Sequence, residues 1–175
     1  MSAQENAMKM AIIDKQWDTL LKRVQSNPQS AMEPIAWGST YQYPLHLVTS
    51  MRGFEGFVTI IASCCPASCF LRDQDGRNPL HLAVVMSQIP ALKALVSVCP
   101  GAAKERVKDT QHQTILHLCV SNNQPEALEF LIESMGLDLQ FINSIDGNGN
   151  NIIHVAMIKG KWEVFMSYLY HHLHP

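Results

Sequence analysis

Asn78-Pro79-Leu80-His81-Leu82 is the stretch of sequence that decides the fold, because three further segments of the chain repeat it. The copies are Tyr43-Pro44-Leu45-His46-Leu47, Thr114-Ile115-Leu116-His117-Leu118 and Asn151-Ile152-Ile153-His154-Val155. Their histidines follow one another at intervals of 35, 36 and 37 residues. A nearly fixed period of this length is the signature of a repeat protein, in which each unit contacts only its neighbours.

A second pattern accompanies the histidines: apolar residues recur at i, i+3, i+4, i+7, which places them on one face of an α-helix. The stripes are Trp17, Leu20, Leu21 and Val24; Phe57, Ile60, Ile61 and Cys64; Leu92, Leu95, Val96 and Cys99; Leu128, Leu131, Ile132 and Met135; and Phe165, Tyr168 and Leu169 with His172. Pro90 and Pro125 come just before two stripes, where a helix start tolerates a missing N–H. Asp75-Gly76 and Asp146-Gly147 are turn signals between units.

We therefore predict an all-α solenoid of five helix-turn-helix units joined by hairpin-like turns. Each unit has a tight turn, a short inner helix that opens at the Leu-His pair, and a longer outer helix. The predicted units cover about 5–30 (degenerate), 39–71, 73–107, 109–144 and 146–175. One helix pair cannot bury both of its apolar faces, so each unit must stack on its neighbours.

Composition excludes several classes of protein. Hydrophobic residues make up 47% of the 175 residues and charged residues 16%, which is a globular composition. The formal net charge of -2, with no basic run longer than Lys22-Arg23, argues against nucleic-acid binding. No signal peptide and no apolar run of ~18 residues is evident. We expect a cytoplasmic chain without a membrane segment.

The histidine segments resemble the Thr-Pro-Leu-His-x-Ala pattern of ankyrin repeats. Tyr43 departs from it where threonine is usual, and Tyr41 and His112 where glycine is usual. Residues 72–83 and 114–128 further resemble plant ankyrin-repeat proteins that carry a C-terminal Pro-Gly-Gly domain with membrane-spanning helices. This resemblance implies a role in defence or stress signalling at a membrane. That domain is absent from these 175 residues, so the expected alternatives are a short soluble member, a truncated product or a fragment.

The ankyrin resemblance also implies a binding surface for another protein, on the turn tips and the concave face formed by the inner helices. The matching tip residues are Gln74, Asp75, Arg77, Thr110, Gln111, Gln113, Asn148 and Asn150. The matching inner-helix residues are Val85, Met86, Ser121, Asn122, Ile158 and Lys159. The alternative interpretation of each is a solvated turn residue.

The C-terminal helix is apolar on every side. Its large side chains are Trp162, Val164, Phe165, Met166, Tyr168, Leu169 and Tyr170. A helix that is apolar all round is usually buried, and the last unit of a repeat array needs a polar outer face. We expect a further C-terminal region, a second copy or a partner to pack here; partial exposure is the alternative.

The four motif histidines, His46, His81, His117 and His154, are predicted to be structural. Repeats lie ~10 Å apart whereas a metal ligand lies ~2 Å from its ion, so the imidazoles are expected to bind turn backbone instead. Cys64, Cys65 and Cys69 match neither a redox nor a zinc spacing. Cys64 and Cys99 share a stripe position, and Cys119 replaces a small alanine. All are expected to be buried small hydrophobic residues, and His171, His172 and His174 a solvated tail.

No catalytic motif is present, so we predict a non-enzymatic chain without cofactor or metal. The leading function is a protein-interaction scaffold or adaptor. The second hypothesis is the soluble cytosolic half of a truncated multi-pass membrane ankyrin protein. The third is a thiol- or metal-dependent sensor.

Overall fold

The computed structural model of the protein describes residues 17–37, 40–136, 138–164 and 166, and the statements below concern those residues. Short inner helices alternate with longer outer helices. The inner helices are α2 (Pro44–Thr49), α4 (Pro79–Val85), α6 (Ile115–Ser121) and α9 (Ile152–Ile158). The outer helices are α1 (17–26), α3 (Glu55–Cys64), α5 (Ile89–Val98) and α7 (Pro125–Ser134). Helix α8 (Leu139–Ile142) follows α7, and residues 162–164 and 166 are helical after α9.

Successive units stack side by side, which confirms the all-α repeat solenoid. Among the inner helices, α2 packs on α4, α4 on α6 and α6 on α9; among the outer helices, α3 packs on α5 and α5 on α7. Within the described ranges, β structure is limited to one antiparallel hairpin before α2, made of β1 (Ile35–Trp37) and β2 (Thr40–Gln42). Ile35 lies opposite Gln42 in this pair.

One apolar core runs through the stack from Trp17 to Val164. The leucine before each of the first three motif histidines is fully buried: Leu45, Leu80 and Leu116 each have 0% exposure. At the N-terminal end, the Trp17 ring lies 5.5 Å from Phe54 and 5.9 Å from Phe57. Because the inner helices α4 and α6 are each packed between two neighbouring inner helices, the stack depends on contacts that no single unit can make alone.

The stripe predicted for unit two is wrong by one residue. The buried side chains of α3 are Val58, Ile61 and Ala62, with Cys65 just after the helix. Phe57, Ile60 and Cys64 are only half-buried. The buried face is shifted because α3 starts nine residues after its histidine, whereas α5 and α7 start eight residues after theirs. Cys65, rather than Cys64, is therefore the counterpart of Cys99.

Three short 3-10 helices follow outer helices, and the sequence analysis missed them. They are Pro28–Met32, Pro66–Phe70 and Pro100–Lys104. Each opens with a proline, whose fixed φ suits the first position of a helix, and each buries two small residues. The signal was available, since a proline followed by small residues recurs after three stripes. Five-residue elements are too short for periodicity to reveal them.

Candidate functional site

His81 shows how a motif histidine anchors its inner helix. Its Nδ1 accepts a hydrogen bond from the backbone N–H of Asn78 at 3.2 Å, and the Asn78 side chain accepts one from the backbone N–H of His81 at 2.9 Å. Its Nε2 lies 3.0 Å from the carbonyl oxygen of Glu105, which follows the outer helix of the same unit. The ring is fully buried. The imidazole therefore closes the start of its own helix and fastens that helix to the segment that leads into the next unit.

The other three histidines repeat this arrangement in part. His117 accepts from the backbone N–H of Thr114 at 3.4 Å, and its Nε2 lies 2.9 Å from the carbonyl of Asn150 in unit five. His46 binds the carbonyl of Arg77 at 3.0 Å, but its buried Nδ1 has no hydrogen-bond partner. His154 accepts from the N–H at the start of its own helix at 3.3 Å and is exposed.

These bonds fix the protonation of the rings. A carbonyl oxygen only accepts, so Nε2 carries the proton, while Nδ1 of His81 and His117 faces a backbone N–H and carries none. Burial lowers the pKa of His46, His81 and His117, and the pKa of His81 falls to about 4. The nearby guanidinium of Arg72 lowers the pKa of His81 further. The three rings are neutral at pH 7, and the Nε2 of each is engaged by a backbone carbonyl, so they act as structural groups.

Each turn tip is organised by one aspartate, which the sequence analysis did not identify. Asp73 Oδ1 accepts from the N–H of Asp75 at 3.0 Å and of Arg77 at 2.8 Å. Asp146 repeats these bonds in unit five, both at 2.9 Å, and Asp109 Oδ1 makes a similar pair in unit four. The available signal was an aspartate eight residues before each of three motif histidines. These carboxylates hold the tips in shape.

The tips of units three, four and five are bonded into one ridge. The N–H of Lys108 donates to the carbonyl of Gly76 at 2.9 Å, and the N–H of Gly147 donates to the carbonyl of Gln111 at 2.6 Å. This contact leaves no room for a side chain at Gly76, because a Cβ there would lie 2.4 Å from the carbonyl oxygen of Lys108. The exposed tip groups therefore sit on a connected backbone frame.

Replacing Gly76 with alanine is expected to lower the free energy of unfolding by about 2–3 kcal/mol, because Gly76 combines this close approach with a φ of +73°. Urea denaturation measures the effect. Gly53→Ala is the matched control, since Gly53 has a φ of +82° but nothing within 4 Å of its Cβ position. We expect about 1 kcal/mol there. Equal losses in the two variants would exclude a role for the tip contact.

His112 occupies the tip position that Gly76 and Gly149 hold in the neighbouring units. Its φ is +45°, against +73° and +79° for the two glycines. A side chain in this conformation is strained, so His112→Gly is expected to raise the free energy of unfolding by about 1 kcal/mol. His112→Ala keeps the Cβ and should give no gain. If alanine stabilised as much as glycine, the imidazole rather than the backbone would be the source of the strain.

The candidate binding residues predicted from sequence fall into three groups. The exposed ones are Gln74, Asp75, Thr110, Gln111 and Asn148 at the tips, and Met86, Asn122, Ile158 and Lys159 at the ends of inner helices. The half-buried ones are Arg77, Val85, Ser121 and Asn150. The third group is Gln113 alone, which is buried.

Gln113 does not fit the predicted role of a tip contact. Only 8% of the residue is exposed, and its carbonyl accepts from the N–H of Val107 at 2.9 Å. Arg77 and Asn150 hold the same place, four residues before their histidines, and offer their carbonyls to the histidine of the preceding unit. This position therefore lies at the base of the tip and serves the joint between units.

Charged side chains brace the outer surface from one unit to the next. Arg72 pairs with Glu105 at 2.5 Å, Lys93 with Glu126 at 3.3 Å and Lys104 with Asp138 at 3.1 Å. Lys104 and the N–H of Phe141 lower the pKa of Asp138. The Lys93–Glu126 and Lys104–Asp138 pairs are partly to largely exposed, so each adds little stability.

The cysteines behave as buried apolar residues. Cys65, Cys69, Cys99 and Cys119 are buried, and Cys64 is half-buried. Burial raises the pKa of the Cys69 and Cys119 thiols, and the neighbouring Cys99 raises that of Cys69 further. A thiol held in its protonated form is a poor nucleophile and a poor metal ligand. Across the described ranges, no three His, Cys, Asp or Glu side chains are grouped so as to hold a metal ion.

Comparison with known families and proteins agrees with this geometry. The family model described as "Ankyrin repeats (3 copies)" matches residues 45–141. The chain is 29% identical over 104 residues to the nuclear factor NF-kappa-B p105 subunit of Gallus gallus, which covers 58% of this chain and 10% of that protein. It is 32% identical over 85 residues to the B-cell lymphoma 3 protein homolog of Mus musculus, covering 48% of this chain and 18% of the relative.

A solved structure shares the fold. The crystal structure of the ankyrin repeat domain of Bcl-3, a member of the IkappaB protein family, superposes with a TM-score of 0.70 at 22% identity, over 93% of this chain and 69% of that one. The matched region spans less than a fifth of the two curated relatives' length. None of the helices that the structure describes has the length and apolar character needed to cross a bilayer.

Proposed function

Because the chain belongs to the ankyrin-repeat family, we propose that it is a non-catalytic scaffold or adaptor that binds another protein across its turn tips and inner helices. The repeats form an interaction fold, and relatives with this fold are an NF-kappa-B subunit and Bcl-3. The specificity of such a fold resides in the side chains that its units expose.

One observation supports the concave face as the binding surface. The fifth residue after the histidine is exposed in units three, four and five, where it is Met86, Asn122 and Lys159. These three residues stand at equivalent places, each directly after the end of an inner helix, and Met86 is 44% exposed. This row contains one apolar, one amide and one cationic side chain. It can contact a protein by packing, hydrogen bonding and charge together.

The tips extend this surface. Gln74, Asp75 and Asn148 are exposed, while the aspartates behind them are occupied in holding the backbone. Because the tip carbonyls and N–H groups are bonded to one another, the exposed side chains lose little backbone entropy on binding. A preorganised surface of this kind favours a binding role.

The finer assignments rest on the motif resemblance. Membership of the plant Pro-Gly-Gly subfamily, a role in defence or stress signalling and a cytoplasmic location stay predictions, because the names of the two relatives described above do not bear on these points. The hypothesis of a soluble half of a larger membrane protein likewise stays a prediction, as do the five unit boundaries. The low thiol acidity and the absence of a metal grouping in the described part weigh against a sensor.

Affinity capture with matched variants tests the proposed surface. The chain serves as bait in an extract of its own cells, beside a Met86→Glu, Lys159→Glu double variant and a Lys22→Glu control on α1. We expect one captured protein to fall about tenfold or more with the double variant and to be unchanged with the control. Equal retention by all three baits would contradict binding through the inner helices.

A further inference from the structure

The sulfur-containing side chains of the protein differ in their access to solvent. None of the five cysteines is exposed: four are buried and one is half-buried. Burial raises the pKa of the Cys69 and Cys119 thiols. Because peroxides react with the thiolate rather than the thiol, these sulfur atoms are protected from oxidation. The thioether of methionine needs no deprotonation to react, so its access to solvent decides how readily an oxidant reaches it.

The methionines of the described residues fall into two groups. Three of them are half-buried and pack against the apolar core: Met32, Met51 and Met135. The other three have exposed side chains: Met86, Met157 and Met166. An oxidant in solution is therefore expected to reach the second group first.

Met86 stands on a fixed part of the backbone, directly after α4. The N–H of Ser87 donates to the carbonyl of Val84 at 3.1 Å, and the N–H of Gln88 donates to the carbonyl of Ala83 at 2.8 Å. Val84 and Ala83 are fully buried, so the core contacts of this segment are made by residues other than Met86. A chemical change at the Met86 sulfur therefore alters the surface and leaves the core packing in place.

Met51 is the counterpart of Met86 in unit two, since each lies five residues after a motif histidine. The Met51 side chain is half-buried against the core, however, whereas that of Met86 is 44% exposed. In units four and five the same position holds Asn122 and Lys159, which contain no sulfur. In the part of the chain that the structure describes, Met86 is thus the exposed thioether of the row that we propose as a binding surface.

We propose that Met86 is a modification site at which oxidation by hydrogen peroxide weakens the binding of the partner protein, an inference that rests on the proposed function. A lone pair of the sulfur attacks one peroxide oxygen and the O–O bond breaks, which yields methionine sulfoxide and one molecule of water. Sulfur loses two electrons and the peroxide gains them. The product is polar where the thioether was apolar, so a partner that packs against Met86 loses an apolar contact.

Peptide mapping after peroxide treatment tests the chemical step. The full chain is treated with hydrogen peroxide, quenched with free methionine, digested and analysed by mass spectrometry for the gain of one oxygen atom. We expect Met86 to be oxidised at least about fivefold faster than Met51, with all five cysteines recovered as free thiols. Circular dichroism of the treated chain should be unchanged. Faster oxidation of Met51 or of the thiols would overturn the proposal.

Capture by oxidised baits tests the effect on binding. We expect the captured protein to fall about fivefold or more after treatment of the bait, and to recover when methionine sulfoxide reductases A and B act on it with dithiothreitol. Met86→Leu keeps a similar volume without a sulfur atom, so it should capture equally well before and after treatment. Met157→Leu, the same change at another exposed methionine, should lose capture like the unmodified chain.

The outcomes separate this inference from the proposed function. If untreated baits captured nothing that depends on Met86 and Lys159, the proposed function and the inference would both be contradicted before any peroxide was added. Capture that persists on a bait with fully oxidised Met86 would leave the function standing and overturn the inference. Protection by Met157→Leu instead of Met86→Leu would overturn the assignment to Met86.

Discussion

Replacing His81 with alanine is expected to lower the free energy of unfolding by about 3–4 kcal/mol. The ring is fully buried and bonds both its own helix start and the carbonyl of Glu105, after the outer helix of its unit. Its removal leaves the N–H of Asn78 and the carbonyl of Glu105 without partners, at about 1–3 kcal/mol for each unpaired group, and opens a cavity in the core. Urea denaturation followed by circular dichroism measures the loss.

His154→Ala is the matched control, because His154 holds the same motif position but is exposed and, among the described residues, bonds only its own helix start. We expect a loss below about 1 kcal/mol. The contrast separates the buried bond to Glu105 from the motif itself. If the two variants lost the same stability, the bond to Glu105 would contribute nothing measurable.

Lowering the pH from 7 to 4 is expected to destabilise the fold by several kcal/mol, of which His81 alone supplies roughly 3 kcal/mol. The unfolded chain takes up a proton at histidine near pH 6.5, whereas burial lowers the pKa of His81 to about 4 in the native state. Between these values the unfolded state binds more protons, so stability falls as the pH falls. The stability that neutral His81 contributes is fully present above about pH 6.5 and is lost progressively as the pH falls to about 4.

His46 and His117 add to this effect in the same direction, since burial lowers the pKa of each. The measurement is the free energy of unfolding in urea at intervals of half a pH unit. His81→Ala, which is less stable at pH 7, should show a shallower decline because one proton-linked group is gone. A free energy that stayed constant from pH 7 to 4.5, or rose on acidification, would contradict buried neutral histidines.

The sequence predicted the units because burial is periodic. Leu80 and His81 mark an inner helix wherever they recur, and apolar spacing identifies α5 and α7 without ambiguity. The prediction failed in unit two, because one extra residue before α3 shifts the buried face of that helix from Phe57 to Val58. Periodicity within a helix is fixed by its geometry, whereas the length of the loop before it is not.

The candidate site was less predictable. Gln74 and Gln113 are both polar residues near a tip, yet one is exposed and the other buried, because backbone pairing across the tip decides which side chain faces solvent. The role of Asp73 could not be predicted from the sequence either. Its carboxylate accepts from N–H groups two and four residues later, and an aspartate in such a turn is equally consistent with a solvated charge. Met157 is exposed, whereas Val84 and Val120, which also lie three residues after a motif histidine, are buried. The repeat period alone does not predict this difference.

The central claim is that His46, His81 and His117 occupy equivalent corners, each donating from Nε2 to a backbone carbonyl that lies beyond the outer helix of its own unit. Two-dimensional ¹H–¹⁵N NMR of the imidazole rings at pH 7 tests this directly. We predict three rings fixed in the neutral form with a slowly exchanging proton on Nε2, matching the carbonyls of Arg77, Glu105 and Asn150. Rings that averaged rapidly between the two nitrogens, or carried the proton on Nδ1, would contradict the account.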